Sequence, residues 1–236
     1  MAESAAVAVL AIAATVAVYA AARVLQRRAG SVLLHPVLVS IVVLIAALRM
    51  LGIDYETYDR GGRVLTFLLG PAVVALGLPL YRQMAEIGRR GRAVLVSLAA
   101  GSIVGVVSAV GTAALLGASG TVVRSLAPRA VTTPIAIGIA ERVGGLPALS
   151  AAVVILSGIL GAVIGPPLLR RVGVRSRTAF GLALGAAAHG VGTARAAEEG
   201  DVEAASSGLA IGLMGVGTAI AVPLVLAAMR WAGWVG

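Results

Sequence analysis

Apolar runs long enough to cross a bilayer, joined by short arginine-bearing connections, govern what this chain can fold into. A run of about 18 or more apolar residues spans the hydrocarbon layer as a helix, because a helix satisfies its own backbone N–H and C=O groups where water is absent. Runs of this kind place helices near 5–26, 33–51, 64–85, 92–117, 147–170, 178–198 and 206–230. A shorter apolar piece at about 121–140 lies between the fourth and the fifth. The expected class is an all-α polytopic membrane protein.

The charges fit that class. All 19 basic residues are arginine, and with 10 acidic residues they give a formal charge of +9. In a soluble domain this balance would point to nucleic acid, but here the arginines gather at helix ends, where they set orientation. Nucleic acid is therefore not an expected partner. An all-Arg, Ala/Gly/Val-rich composition points to a GC-rich, bacterial coding genome. With no cysteine in the chain, disulfides, thiolate metal sites and a Cys nucleophile are excluded. The first run follows Glu3 and precedes Arg23, Arg27 and Arg28, the reverse of a signal peptide's charge order. It is expected to stay as a first span with its N-terminus outside.

The positive-inside rule then orders the connections. Arg23, Arg27 and Arg28 lie inside; Asp54, Glu56, Asp59, Arg60 and Arg63 outside; Arg82, Arg89, Arg90 and Arg92 inside. The alternation continues to Arg170, Arg171, Arg175 and Arg177 only if 121–140 enters and leaves on one face, as a re-entrant hairpin bent at Thr132-Thr133-Pro134. Glu198, Glu199, Asp201 and Glu203 then fall outside, and Arg230 with the C-terminus in the cytoplasm. About seven transmembrane helices plus one re-entrant segment result.

A weak repeat runs through this order. Pro36 is followed 31 residues later by Phe67 (FLLGPAVVALGLP), and Pro147 is followed 33 residues later by Phe180 (FGLALGAAAHGVG). A break, Pro79 or Gly192, lies 12 residues after each Phe. The reading is one transmembrane domain over 1–236, an inverted repeat of about 33–117 and 121–230 with a broken helix in each half. In transporters such breaks mark a midplane binding site.

The break in 180–198 carries the chemistry. His189 and Arg195 are ionisable groups placed where lipid should be, and Gly190 and Gly192 weaken the helix between them. Arg195 offers a fork of donors for a carboxylate, His189 titrates near neutral pH, and Thr193 adds a hydroxyl. Their bland readings are an interfacial anchor for Arg195 and an interhelical hydrogen bond for His189. The re-entrant piece adds Arg129, Thr132, Thr133 and Pro134 beside a helix N-terminus suited to an anion, or simply to a capped helix. Gly101, Gly105 and Gly111, and Gly208, Gly212 and Gly215, are spaced for close helix packing, within the chain or between subunits. The two His, 35 and 189, have no acidic partner at ligand spacing, so neither a metal nor a cofactor is expected, nor an enzyme.

Three blocks, LLGPAVVALGLPLYRQ (68–83), AVTTPIAIGIAERVGGLPALSAAVVILSGILGAVIGPPLL (130–169) and AFGLALGAAAHGVGTARAAE (179–198), closely resemble the LrgB/CidB family. That family includes bacterial antiholin-like proteins and the C-terminal half of the plastidal glycolate/glycerate translocator. The resemblance implies a plasma-membrane protein that either carries small monocarboxylates such as glycolate, glycerate or pyruvate, or modulates murein hydrolase export with a small LrgA/CidA-like partner. It matches Thr132, Thr133, Pro134, His189, Gly190, Gly192, Thr193 and Arg195 to the family's blocks. A homo-oligomer, typically a dimer, is the general expectation for carriers of this kind.

Overall fold

The computed structural model describes residues 2–30, 34, 36–75 and 77–233, and their side chains except at 2–6, 66, 69–70, 72–75 and 77–90. Every regular element among the described residues is a helix. Four are long and apolar enough to cross a membrane: Val7–Ala29, Gly91–Leu115, Pro147–Arg171 and Asp201–Trp231. Pro36–Leu51 is a shorter apolar helix. The chain divides into two compact units, Met1–Val73 and Val74–Gly236.

The first unit holds α1 (Ala2–Ala29), α2 (Pro36–Leu51) and most of α3 (Tyr55–Ala75). The Asp54 carboxylate caps α3, accepting from the Thr57 amide at 2.7 Å and from its hydroxyl at 2.6 Å. Those bonds, the hydroxyl's first, hold the Asp54 carboxyl below the ordinary aspartate range. Gly61 lets α3 approach α1 closely, since a Cβ there would stand 2.6 Å from the Ala11 methyl. A Thr15–Tyr58 hydroxyl pair at 2.7 Å joins the same two helices.

The second unit holds α4 (Gly77–Leu115), α5 (Gly120–Leu126), α6 (Thr133–Val143), α7 (Pro147–Arg171), α8 (Arg177–Glu199) and α9 (Asp201–Trp231). Its frame is α4 packed parallel to α9. Val94 and Leu98 meet Leu209, Ala210 and Met214, and further along Val106 and Val110 meet Val222 and Leu226. Between these levels Gly217 leaves room for Ser102, whose hydroxyl donates to the Met214 sulfur at 3.2 Å.

Residues 120–146 fold back on themselves as a helical hairpin, a longer stretch than the expected 121–140. The Arg124 Nε donates to the Gly144 carbonyl at 3.1 Å, and the Leu146 amide donates to Ser125 Oγ at 2.7 Å, so the segment leaves beside where it entered. Its bend lies at 127–132, just before the predicted Thr132-Thr133-Pro134, because Pro134 sits in the first turn of α6, where it needs no N–H.

The expected span at 178–198 is a second hairpin, not a crossing. His189 has φ 41° and ψ −126°, which ends one helical arm (177–188) and starts another (190–199) in the reverse direction. The arms lie against each other: a Cβ on Gly192 would fall 2.2 Å from the Leu184 carbonyl oxygen, and Phe180, Leu184 and Ala196 share one apolar cluster. In a continuous helix residues 184 and 192 would stand roughly 12 Å apart at ~1.5 Å per residue. The count of seven spans, and the second half of the repeat that relied on this one, change accordingly.

Two further expectations shift. The acidic group at 198–203 lies on the same end as the arginines at 170–177, since Arg170 pairs with Glu199 and Arg177 with Glu203. The connection expected at 86–91 is helical, within α4. Pro79, the expected break, sits in the first turn of α4, while α3 ends at Ala75, and His35 lies outside the described residues.

Candidate functional site

Both hairpins run toward the middle of α7 from its two ends. At the start of α7, Ser150 Oγ donates to the Ser125 carbonyl at the mouth of the first hairpin (2.6 Å). At its far end, Leu169 packs on Phe180 near the mouth of the second. The tips meet one turn of α7 between them. Val154 packs against Val131 and Ala136, Ser157 Oγ donates to the Arg129 carbonyl at 2.9 Å, and the Val154 carbonyl lies 3.0 Å from His189 Nε2. Ala130 of the first tip and Ala186, beside the second, also pack into the same apolar cluster.

Glycines on α7 allow this approach. A Cβ on Gly158 would lie 2.6 Å from the His189 ring, one on Gly161 2.7 Å from the Ala188 methyl, and one on Gly165 2.8 Å from Leu184. Where surrounding lipid is as apolar as the side chains, such contact and interhelical hydrogen bonds, rather than expulsion of water, hold helices together. The spacing 158, 161, 165 is a helical stripe that was readable in the sequence. Ser125, Ser157 and Ser207 are polar contributors that give no local sequence signal.

His189 is buried and held on three sides. A carbonyl can only accept, so Nε2 carries the proton given to Val154 and Nδ1 is left unprotonated in the neutral ring. Thr193 Oγ1 donates to the His189 carbonyl at 3.1 Å and lies 2.8 Å from Ser207 Oγ on α9, whose hydroxyl then supplies the shared proton. A non-glycine residue at this φ and ψ costs on the order of 1–3 kcal/mol, sustained by these surroundings. The helix thus breaks at His189 itself; Gly190 faces open space and Gly192 is the contact between arms.

The two candidate arginines stand in different places. Arg195 lies near the mouth of the second hairpin, with Glu198 at 3.0 Å and Glu199 at 2.7 Å. Glu199 also takes Arg170, which lies 5.7 Å over the Phe180 ring. Arg129 lies at the first tip. Among the described residues no carboxylate pairs with it, and its Nη2 donates to Ser108 Oγ at 3.3 Å. Nearby, the Thr132 hydroxyl is buried with no hydrogen-bond partner among the described residues. Thr133 and Pro134 form the first turn of α6, whose positive dipole end faces the tip. No group of three or more metal-ligating side chains occurs among the described residues.

Residues 15–228 match the LrgB-like family. The chain belongs to that family. It is 37% identical to the uncharacterized protein YwbG of Bacillus subtilis over 91% of this chain and 96% of that one. It is 36% identical to YxaC of the same organism over 95% and 97%. It is 34% identical to the antiholin-like protein LrgB of Bacillus mycoides over 84% and 86%. No solved structure matches. Family membership and four apolar helices make this LrgB-like chain a multi-pass membrane protein.

Proposed function

We propose that this LrgB-like protein carries a small organic monocarboxylate across the plasma membrane, binding it where the hairpin tips meet. The observation that supports this is Arg129: a guanidinium at the tip of the first hairpin, with no carboxylate partner among the described residues, three residues before the buried and unpartnered Thr132 hydroxyl. An intramembrane arginine without a counterion is costly, and a bound carboxylate supplies the missing partner. Arg195, neutralised by Glu198 and Glu199, secures the second hairpin's mouth instead of reading the ligand. No bond chemistry is involved, and the working unit is a homo-oligomer.

Orientation follows from the positive-inside rule applied to the two hairpins. Arg92, Arg170, Arg171, Arg175 and Arg177 gather at the end of the second hairpin's mouth, which is placed in the cytoplasm. With that end cytoplasmic, α9 runs outward from it and leaves the C-terminus outside, where the seven-span reading expected it inside.

Uptake of labelled glycolate or pyruvate into proteoliposomes tests the proposal: uptake should be lost in Arg129→Gln and kept in Arg195→Gln. No uptake of any small acid contradicts it. The antiholin-like name of the Bacillus mycoides relative favours a second reading, an antiholin-like regulator, for which an LrgA/CidA-like protein is the proposed partner. Solute-unselective leakage that depends on such a partner would decide for it.

A further inference from the structure

Two clefts in the second unit share one residue. The first, about 450 Å³, is walled by Ser108, Thr112 and Leu116 of α4 with Leu126 and Arg129, and extends from the first tip toward the first hairpin's mouth. The second, about 370 Å³, is walled by Arg129 and Ser157 with Gly161, Ile164 and Leu168 of α7 and Ala187 of α8, and extends the opposite way, toward the second hairpin's mouth.

We propose that Arg129 is the junction of two half-pathways opening on opposite membrane faces, where a small monocarboxylate changes from one cleft to the other. The inference rests on the carrier reading and names its route. The first cleft contains the guanidinium, anchored among the described residues to Ser108 Oγ alone, with Thr112 beyond it. The Arg129 backbone is fixed to Ser157, which walls the second. A side chain with a tethered backbone and a single neutral partner is free to turn its fork between the two. One guanidinium with hydroxyl neighbours balances one negative charge, so the junction selects monoanions over dicarboxylates. Tight glycine contacts at the tips, Gly158 on His189 and Gly161 on Ala188, separate the second cleft from the other side of the second hairpin.

The chain has no cysteine, so single-cysteine variants need no background changes. Thr112→Cys and Ile164→Cys, each in oriented proteoliposomes, would be treated with a membrane-impermeant methanethiosulfonate from outside or from the lumen, with and without glycolate. The expected result is labelling of Thr112→Cys from one side only and of Ile164→Cys from the other only, each slowed several-fold by glycolate. Adding Arg129→Gln should abolish the protection while leaving the labelling sides unchanged, which also reports that the variant folds; Arg129→Lys should keep part of it. Labelling of both from one side, of neither, or without protection by glycolate, pyruvate or acetate overturns the junction. Uptake is read in the same vesicles. Uptake with one-sided labelling removes this route and leaves the carrier reading, whereas protected, opposite-sided labelling without uptake overturns both, because the acid then reaches Arg129 from either face without passing it.

Discussion

Replacing Gly192 with alanine has opposite consequences for a hairpin and for a continuous helix. In a straight 178–198 helix, Gly→Ala at an interior position stabilises by about 1 kcal/mol through propensity alone. In the hairpin the new methyl would stand 2.2 Å from the Leu184 carbonyl oxygen, 2.9 Å from its carbon and 2.8 Å from the Ala188 methyl. Two of these atoms are backbone, so the arms must part by about 1 Å, and overpacking of this kind costs roughly 1–3 kcal/mol. Gly190 is the control, because nothing lies within 4 Å of its would-be methyl and its φ is not positive. Thermal unfolding of the purified protein in detergent should show Gly192→Ala melting lower than wild type and Gly190→Ala unchanged or higher. If both variants gain stability alike, the reasoning is wrong.

Other substitutions probe the supports. Gly158→Ala pushes the His189 ring off the Val154 carbonyl, and leaving that buried pair unmade should cost about 1–3 kcal/mol; thermal melting would register it. Ser125→Ala strips the Leu146 amide of its acceptor and the mouth of the first hairpin of its latch, so hydrogen exchange at Leu146 should quicken and the melting point fall by a similar free energy. Asp54→Ala should fray the first turn of α3 while Asp54→Asn keeps it. The folded Asp54 carboxyl is depressed, so its stabilisation is complete above the ordinary value of 3.8 and is lost as pH falls through the lower folded value. Helicity of wild type in acid should therefore decline toward that of Asp54→Ala, and an Asp54→Asn profile flat over the same range would confirm the group responsible.

Much of the architecture was written in simple patterns. Apolar run length identified the membrane helices now seen at Gly91–Leu115, Pro147–Arg171 and Asp201–Trp231, and the Pro134 restriction identified a bend near the first tip. Run length also misled, because two antiparallel arms of about ten residues total the length of one span. Contacts between the arms, such as Gly192 on Leu184, and the backbone of His189 separate the cases, and neither is a local property. For the site, the sequence pointed to both tips but gave Arg195 the leading part. Its acidic neighbours at i+3 and i+4, Glu198 and Glu199, were a readable sign of a helix-surface ion pair. The isolation of Arg129 was not readable, since it depends on which helices pack around the tip.

The second hairpin brings His189 to the middle of α7, and one distance tests it. Spin labels on Ala179→Cys and Ala197→Cys, both exposed positions on opposite arms, would be measured by electron paramagnetic resonance in lipid nanodiscs. Packed arms separate helix axes by roughly 8–10 Å, so strong dipolar broadening at label distances under ~20 Å is predicted. A single distance near ~27 Å, the length of an unbroken helix between those positions at ~1.5 Å per residue, would contradict the hairpin and with it the meeting of the tips.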